Sequence, residues 1–475
     1  MSYRHGNREQ IGLFPPSIEE YVKEDDPVRA YDAIVESLDF SALGIGLDSD
    51  KVGCPQYDPK AMLKLLVYGY SYGVRSSRKL ERAVYHNVSF IWLMGGLKPD
   101  HKTIAEFRRK NKEALQKVLK QCARLCIELD LIAGNTLFVD GSKIRANASI
   151  KNTWDKKKCE KYLKKVDKRI ETILSECDKA DEREEGQPSL VEMEKELKDK
   201  KKLKSKVEEI LKDLEEKGEK SINTTDSQCT RIKGVQGTHA GYNVQAVVDE
   251  KHGLIVASDV VSENNDLSQF ANQVDQANTT LGRKCETACG DSGYADTEDL
   301  EKIDKQEIKV IVPSQRQASH KKPRPFSKEN FRYDKRKDCY ICPQGHLLEF
   351  RHMNKAQKSK VYMIRESSLC FNCRYFGLCT KAKRGRTVSR LIKEELRERL
   401  EAQYEQPESQ KIYKLRMQRV EVPFGHIKRN LKVNAFLVRG LDGVKAEMSL
   451  LASCFNISRI ITILGVEGLV KTLAS

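Results

Sequence analysis

Apolar positions change period several times along the chain, and each change marks an element. From residue 1 to about 130 the spacing is helical. In PKAMLKLLVYGYSYG, Pro59 opens a run whose apolar residues Ala61, Leu65, Leu66 and Tyr68 share one helix face. RSSRKLERAVYHNVSFIWLMGG follows, then PDHKTIAEFRRKNKEALQKVLKQCARLCIEL, where Asp100 is set to cap a helix starting near Lys102. TLFVDG breaks the pattern. Thr136 to Val139 is short, apolar and β-rich, and it is expected to end at Asp140 beside a turn glycine. Over 151–220 alternating four- and three-residue steps appear: Cys159, Leu163, Val166, Ile170, Ile173 and Cys177, then Leu203, Val207, Ile210 and Leu214. With GQPS (186–189) as the turn, this predicts an antiparallel coiled-coil hairpin. From 241 to 313 strands return. GYNVQAVVD and GLIVASDVV form a hairpin across EKHG, DLSQFANQVDQANTTLG is helical, KCETACGDSGY is a strand entering a turn, and IKVIVP is a last strand after a short helix.

With both insertions removed, the order is that of a ribonuclease-H-like α/β core: three antiparallel strands, then parallel ones. The expected organisation is an N-terminal helical domain (1–130), the first part of the core (131–313, interrupted by the 151–220 hairpin), a basic cysteine-rich insertion (314–385), and C-terminal helices that complete the core (386–475). The short, basic N-terminal helices suit either a DNA-binding module of the helix-turn-helix kind or a plain helical support.

Charge narrows the partners. Lys and Arg number 85 against 69 Asp and Glu, for a formal +16. That balance favours a polyanion, nucleic acid first, over a basic protein with no such partner. MSYRHGNREQ has no apolar signal core, and no wholly apolar run reaches the roughly 18 residues of a membrane span, so a cytoplasmic, nucleoid-associated protein is expected.

Two aspartates stand at expected strand ends, Asp140 and Asp291, each followed closely by a glycine (Gly141, Gly293). In the expected sheet they lie side by side, and like charges that close repel unless a divalent cation holds both. Hard oxygen donors in an accessible cleft suit Mg²⁺ or Mn²⁺. A third acid is offered by Glu421 in KIYKLRMQRVEVPFGHIKRNLK, with Lys414 and Lys428 seven residues to either side. Pro423 and Gly425 predict a kink or a helix start near Glu421. An ordinary surface glutamate is the plainer alternative. Lys143 and Arg145 alternate with Ile144 and suit phosphate contacts on one face of a continuing strand.

The chain has 14 cysteines, five of them between Cys339 and Cys379. Cys339 and Cys342 form one CxxC pair and Cys370 and Cys373 another, the spacing of a structural Zn²⁺ site, with Cys379 and His346 as spare ligands. Unliganded thiols in a basic loop are the alternative. The stretch 314–337 is basic and interleaved with proline and aromatics, which fits either a DNA-contacting loop or a linker.

PDHKTIAEFRRKN (99–111), FVDGSKIRANAS (138–149), GYNVQAVVD (241–249), GDSGYAD (290–296), YICPQGHLL (340–348) and RVEVPFGHIKRN with FLVRGL (419–441) resemble, in order, the landmarks of the DDE transposases of bacterial insertion sequences. The closest subgroup has a helical N-terminal domain and a cysteine-bearing insertion before the last acid. The resemblance implies a catalytic triad of Asp140, Asp291 and Glu421. It implies Mg²⁺-dependent cleavage at the element's ends, strand transfer into target DNA, and a homodimer on double-stranded DNA carrying the terminal inverted repeats. It also implies a Tyr, Arg, Glu and Lys signature, matched in type by Tyr413, Arg416, Glu421 and Lys428. Four residues separate Arg416 from Glu421 where the family pattern has three, so Arg419 is a second candidate for the arginine. A nuclease without strand transfer, or an inactive or domesticated DNA-binding protein, would keep the same landmarks. Asn147 belongs to the motif without a role that the sequence discloses.

Overall fold

The computed structural model describes residues 17–46, 56–181, 187–218, 220–234, 237–319 and 325–474. The chain divides into two compact units. One comprises residues 1–266, 275–284 and 418–475, the other 267–274 and 285–417.

In the first unit, helices α1 (Pro27–Glu36) and α2 (Pro59–Ser71) each begin with proline behind an aspartate cap. Asp26 accepts from Val28 N–H, and Asp58 from Lys60 and Ala61 N–H. Each cap satisfies donors that the first helical turn leaves open. Helix α3 (His101–Lys110) starts one residue before the expected point, with Asp100 accepting from Thr103 N–H at 2.6 Å. Helix α4 (Lys112–Glu128) follows.

Strand β1 (Thr136–Arg145) does not end at Asp140. It pairs antiparallel with β3 (Gly237–Asp249) in unbroken register, from Leu137 opposite Asp249 to Arg145 opposite Gly241. The GSKIR segment keeps its main-chain partners, and these outweigh the turn preference of Gly141. On its other edge β3 carries β2 (Thr230–Gly234) and β4 (Ile255–Val261). Gly241 stands where β1, β2 and β3 meet. A Cβ there would come within 2.5 Å of the Ile144 carbonyl and 2.3 Å of Ile232 Cδ1.

Helices α5 (Lys156–Asp181) and α6 (Gln187–Lys217) pack side by side. Cys159, Val207 and Leu214 are buried between them, with Ile222 from the short strand Ile222–Asn223 in the same cluster, and Arg169–Glu196 and Lys204–Asp167 are paired at 2.9 and 2.7 Å. Of the expected GQPS turn, Gly186 lies outside the described residues, while Gln187 to Ser189 open α6.

In the second unit, β5 (Thr287–Cys289) and β6 (Lys309–Ile311) run parallel, with helix Thr297–Asp304 between them in sequence. A five-stranded antiparallel sheet follows: β7 (Arg332–Asp334), β8 (Cys339–Ile341), β9 (Leu347–Asn354), β10 (Ser359–Ile364) and β11 (Thr387–Leu391). Its order is β11-β10-β9-β8-β7. Phe331, Tyr340, Leu348, Tyr362, Ile364 and Val388 form its core. Asp338 accepts from the hydroxyls of Tyr333 and Tyr362, both at 2.6 Å.

Helix α7 (Pro407–Arg429) runs through Pro423, so the helix start expected near Glu421 lies 14 residues earlier. Proline suits the first helical position, and one interior proline removes a single main-chain bond, which the flanking turns here outlast. Helix α8 (Leu441–Leu464) is buried along most of its length against α2, α4 and β4. Among the described residues it is also the one helix long and apolar enough to cross a membrane, and 67% of that window is buried inside the protein.

Candidate active site

Side chains alternate along a strand, so Asp140 and Ser142 share one face of β1 while Gly141, Lys143 and Arg145 share the other. On the first face the ammonium of Lys428, from α7, donates to Ser142 Oγ and lies within the field of the Asp140 carboxylate. Burial pulls the Lys428 pKa below the ordinary lysine value, and Asp140 works against that shift. Glu421 lies seven residues earlier on the same helix and is solvent-exposed. Two turns separate it from Lys428, about 10 Å along the axis, on one face.

The opposite face of β1 is engaged differently. Lys143 pairs with Asp266 at 3.2 Å. The same carboxylate oxygen accepts from Asn243 and Gln245, each at 2.8 Å. Arg145 Nη2 lies 3.1 Å from His239 Nε2. Lys143 also lines an open groove of about 1360 Å³ together with Lys220, Arg231 and Lys233. Lys143 and Arg145 thus share a face as expected, but it is the one away from Asp140.

In the second unit Asp291 lies two residues past β5 and caps a short turn, accepting from Gly293 N–H at 2.8 Å. Its carboxylate stays 44% exposed, and Arg416, whose side chain is only 7% exposed, brings Nη2 to 3.9 Å. Tyr413 packs edge-on against Tyr404 at 5.2 Å. Burial raises the Tyr413 pKa while the Arg416 charge opposes the rise. Arg419 instead donates to the Lys251 carbonyl at 3.1 Å. The arginine beside Asp291 is therefore Arg416, whatever its spacing from Glu421.

The segment joining α7 to α8 is clamped to β1. Phe436 N–H donates to the Arg145 carbonyl at 2.9 Å. Asn147 donates to the Leu437 carbonyl at 2.7 Å, and its own carbonyl accepts from Arg439 at 2.9 Å. That is the role the sequence withheld: Asn147 ties the FVDGSKIRANAS motif to the FLVRGL motif. Glu447 on α8, 1% exposed, accepts from Leu437 and Val438 N–H and pairs with Arg75 at 2.8 Å. Arg75 in turn donates to the Ala435 carbonyl at 3.2 Å. Asp226, buried, takes the Tyr242 hydroxyl at 2.8 Å and the Gly440 N–H at 3.3 Å. Sequence reasoning missed Ser142, Asp266, Arg75, Asp226 and Glu447. The signal was present for two groups: a glutamate inside the apolar VKAEMSLLASCF, and Asn243 and Gln245 inside an otherwise apolar strand.

Among the described residues, no three or more His, Cys, Asp or Glu side chains form a group ready to hold a metal ion. The expected zinc set is also divided. Cys339 is buried on β8, opposite Asp334 on β7 and Glu349 on β9. Cys342, Cys370, Cys373 and Cys379 line a separate cavity with His346. The CxxC spacing pairs Cys339 with Cys342, but strand β8 holds Cys339 away from that cavity.

Residues 341–461 match the family described as Transposase DDE domain, and residues 16–110 match Transposase domain (DUF772). The two matches support a DDE transposase of an insertion sequence. Glu421, Lys428 and the cavity-lining cysteines lie within the first stretch, while Asp140 and Asp291 lie between the two. No curated protein and no solved structure matches the chain.

Proposed function

We propose that this chain, a DDE transposase, cuts DNA at the ends of its element and joins the freed ends to target DNA, with Asp140, Asp291 and Glu421 as its catalytic acids on a ribonuclease-H-like core. The observation that carries the reading is the setting of Asp140: a half-buried carboxylate on a fixed strand, beside a lysine held by Ser142. A strand is a rigid mount, and a cation next to the acid suits an anionic substrate.

Carboxylate oxygens are the donor type that a hard divalent cation takes. Asp140 is partly exposed, Asp291 is 44% exposed and Glu421 is exposed, so all three offer carboxylate oxygens to solvent. Mg²⁺ or Mn²⁺ bound there would supply an activated water and stabilise the charge on the departing oxygen. Lys428 would hold a phosphate of the bound strand next to Asp140. Arg416 would fix the Asp291 carboxylate through its charge. The groove lined by Lys143, Lys220, Arg231 and Lys233 would carry the DNA backbone, and each neutralised phosphate would steepen the salt dependence of binding. The chain would act as a dimer that brings two element ends together in the cytoplasm.

Incubating the protein with Mg²⁺ and pre-cleaved element ends tests the reading against a plain nuclease. Joined products support transposition. Cutting of uncleaved ends with no joining of pre-cleaved ones would leave a nuclease.

A further inference from the structure

We infer that Cys342, Cys370, Cys373 and Cys379 are the ligands of a structural zinc ion, and that Cys339, despite its CxxC spacing, is not. Several observations converge. The four thiols line one small cavity of about 30 Å³, although they do not already form a ready metal-binding group. Main-chain N–H groups already point at two of the sulfurs: His346 N–H donates to Cys342 Sγ at 3.3 Å, and Arg386 N–H to Cys370 Sγ at 3.4 Å. Such donors hold the two sulfurs in fixed positions.

The backbone supports the same set. Cys342 sits in a tight turn closed by Gly345 N–H to the Cys342 carbonyl at 2.8 Å and Cys342 N–H to the His346 carbonyl at 2.9 Å. Gly385, at φ +79°, passes so close that a Cβ there would reach 3.2 Å from Cys370 Sγ and 2.4 Å from Ile364 Cγ2. The Arg386 guanidinium braces the far side by donating to the carbonyls of Cys379 and Phe326 at 3.0 and 2.8 Å. The sheet core of Phe331, Tyr340 and Tyr362 packs against Cys342, Cys370 and Cys379. A tetrahedral ion would tie the 366–385 segment to the turn before β9, which no strand pairing of that segment does among the described residues. Zinc satisfies four thiolates in this geometry.

Metal content of the full chain, purified under reducing conditions with zinc supplied, tests the assignment. About one zinc per chain is expected for the parent and for Cys339→Ser and His346→Ala. Cys342→Ser and Cys379→Ser should each lose it. Cobalt titration of the unaltered protein should give a thiolate charge-transfer band, which keeps the test open should a cysteine variant fail to fold. Zinc lost by Cys339→Ser but retained by Cys379→Ser would overturn the set. So would iron with inorganic sulfide, or a zinc-supplied parent in which all these thiols react freely. None of these readings needs DNA, so their failure leaves the transposase reading untouched.

Discussion

The Arg75–Glu447 pair anchors the segment that carries α7 into α8, and its removal should be costly. In Glu447→Ala the Arg75 guanidinium, 10% exposed, keeps only the Ala435 carbonyl among the bonds described above. The Leu437 and Val438 N–H groups lose their acceptor at the same time. Breaking a buried ion pair by deleting one partner costs about 3–5 kcal/mol, because the surviving charge stays buried. The two orphaned N–H groups hold the loss toward the upper end of that range. Urea denaturation of the full chain, followed by circular dichroism, measures it as a shift in midpoint at unchanged slope. Arg75→Ala should cost a similar amount, and the double variant far less than the sum, since each single change already breaks the pair. A Glu447→Ala protein within about 1 kcal/mol of the parent would refute the anchor, because that is the scale of an ordinary exposed pair.

Further outcomes follow from the same contacts. Burial raises the Glu447 carboxyl pKa above its ordinary value, against the pull of Arg75 and the two N–H donors. A carboxyl raised on folding stabilises fully below its unfolded pKa and loses that contribution as pH rises through the folded value. The stability of the parent relative to Glu447→Gln should therefore be highest in acid and fall as pH rises. Lys428→Met should lower DNA cleavage by about 10²-fold, the usual cost of one preorganised donor, with little change in the denaturation midpoint. Because burial depresses the Lys428 pKa, cleavage should fall at a lower alkaline pH than an ordinary lysine would set, and Lys428→Arg should extend the alkaline limb. Asp100→Ala should lower the urea midpoint by leaving the Thr103 N–H without its cap, readable by the same titration.

Where a residue's role depended on local periodicity, the sequence was legible. The cap at Asp100, the helix opened by Pro59 and the two long helices of the 151–220 hairpin all follow from spacing and end chemistry. Where the role depended on which face a side chain turns to, it was not. Lys143 and Arg145 share one face of a continuing strand as expected, but alternation along β1 turns that face away from Asp140. Arg416 was doubted on spacing along a helix, but its neighbour Asp291 comes from a distant part of the sequence. Cys339 was paired with Cys342 by a two-residue interval, which does not show that Cys342 lines a cavity whose lining leaves out Cys339. Asn147 bridges two motifs 290 residues apart, a relation no single stretch contains.

The central claim is that Asp140, Asp291 and Glu421 act as one catalytic set. Its most direct measurement is Mg²⁺-dependent cleavage of DNA bearing the element's ends by Asp140→Ala, Asp291→Ala and Glu421→Ala, with binding to the same DNA followed in parallel. All three should bind and none should cut. Full cleavage by Asp291→Ala would contradict the account.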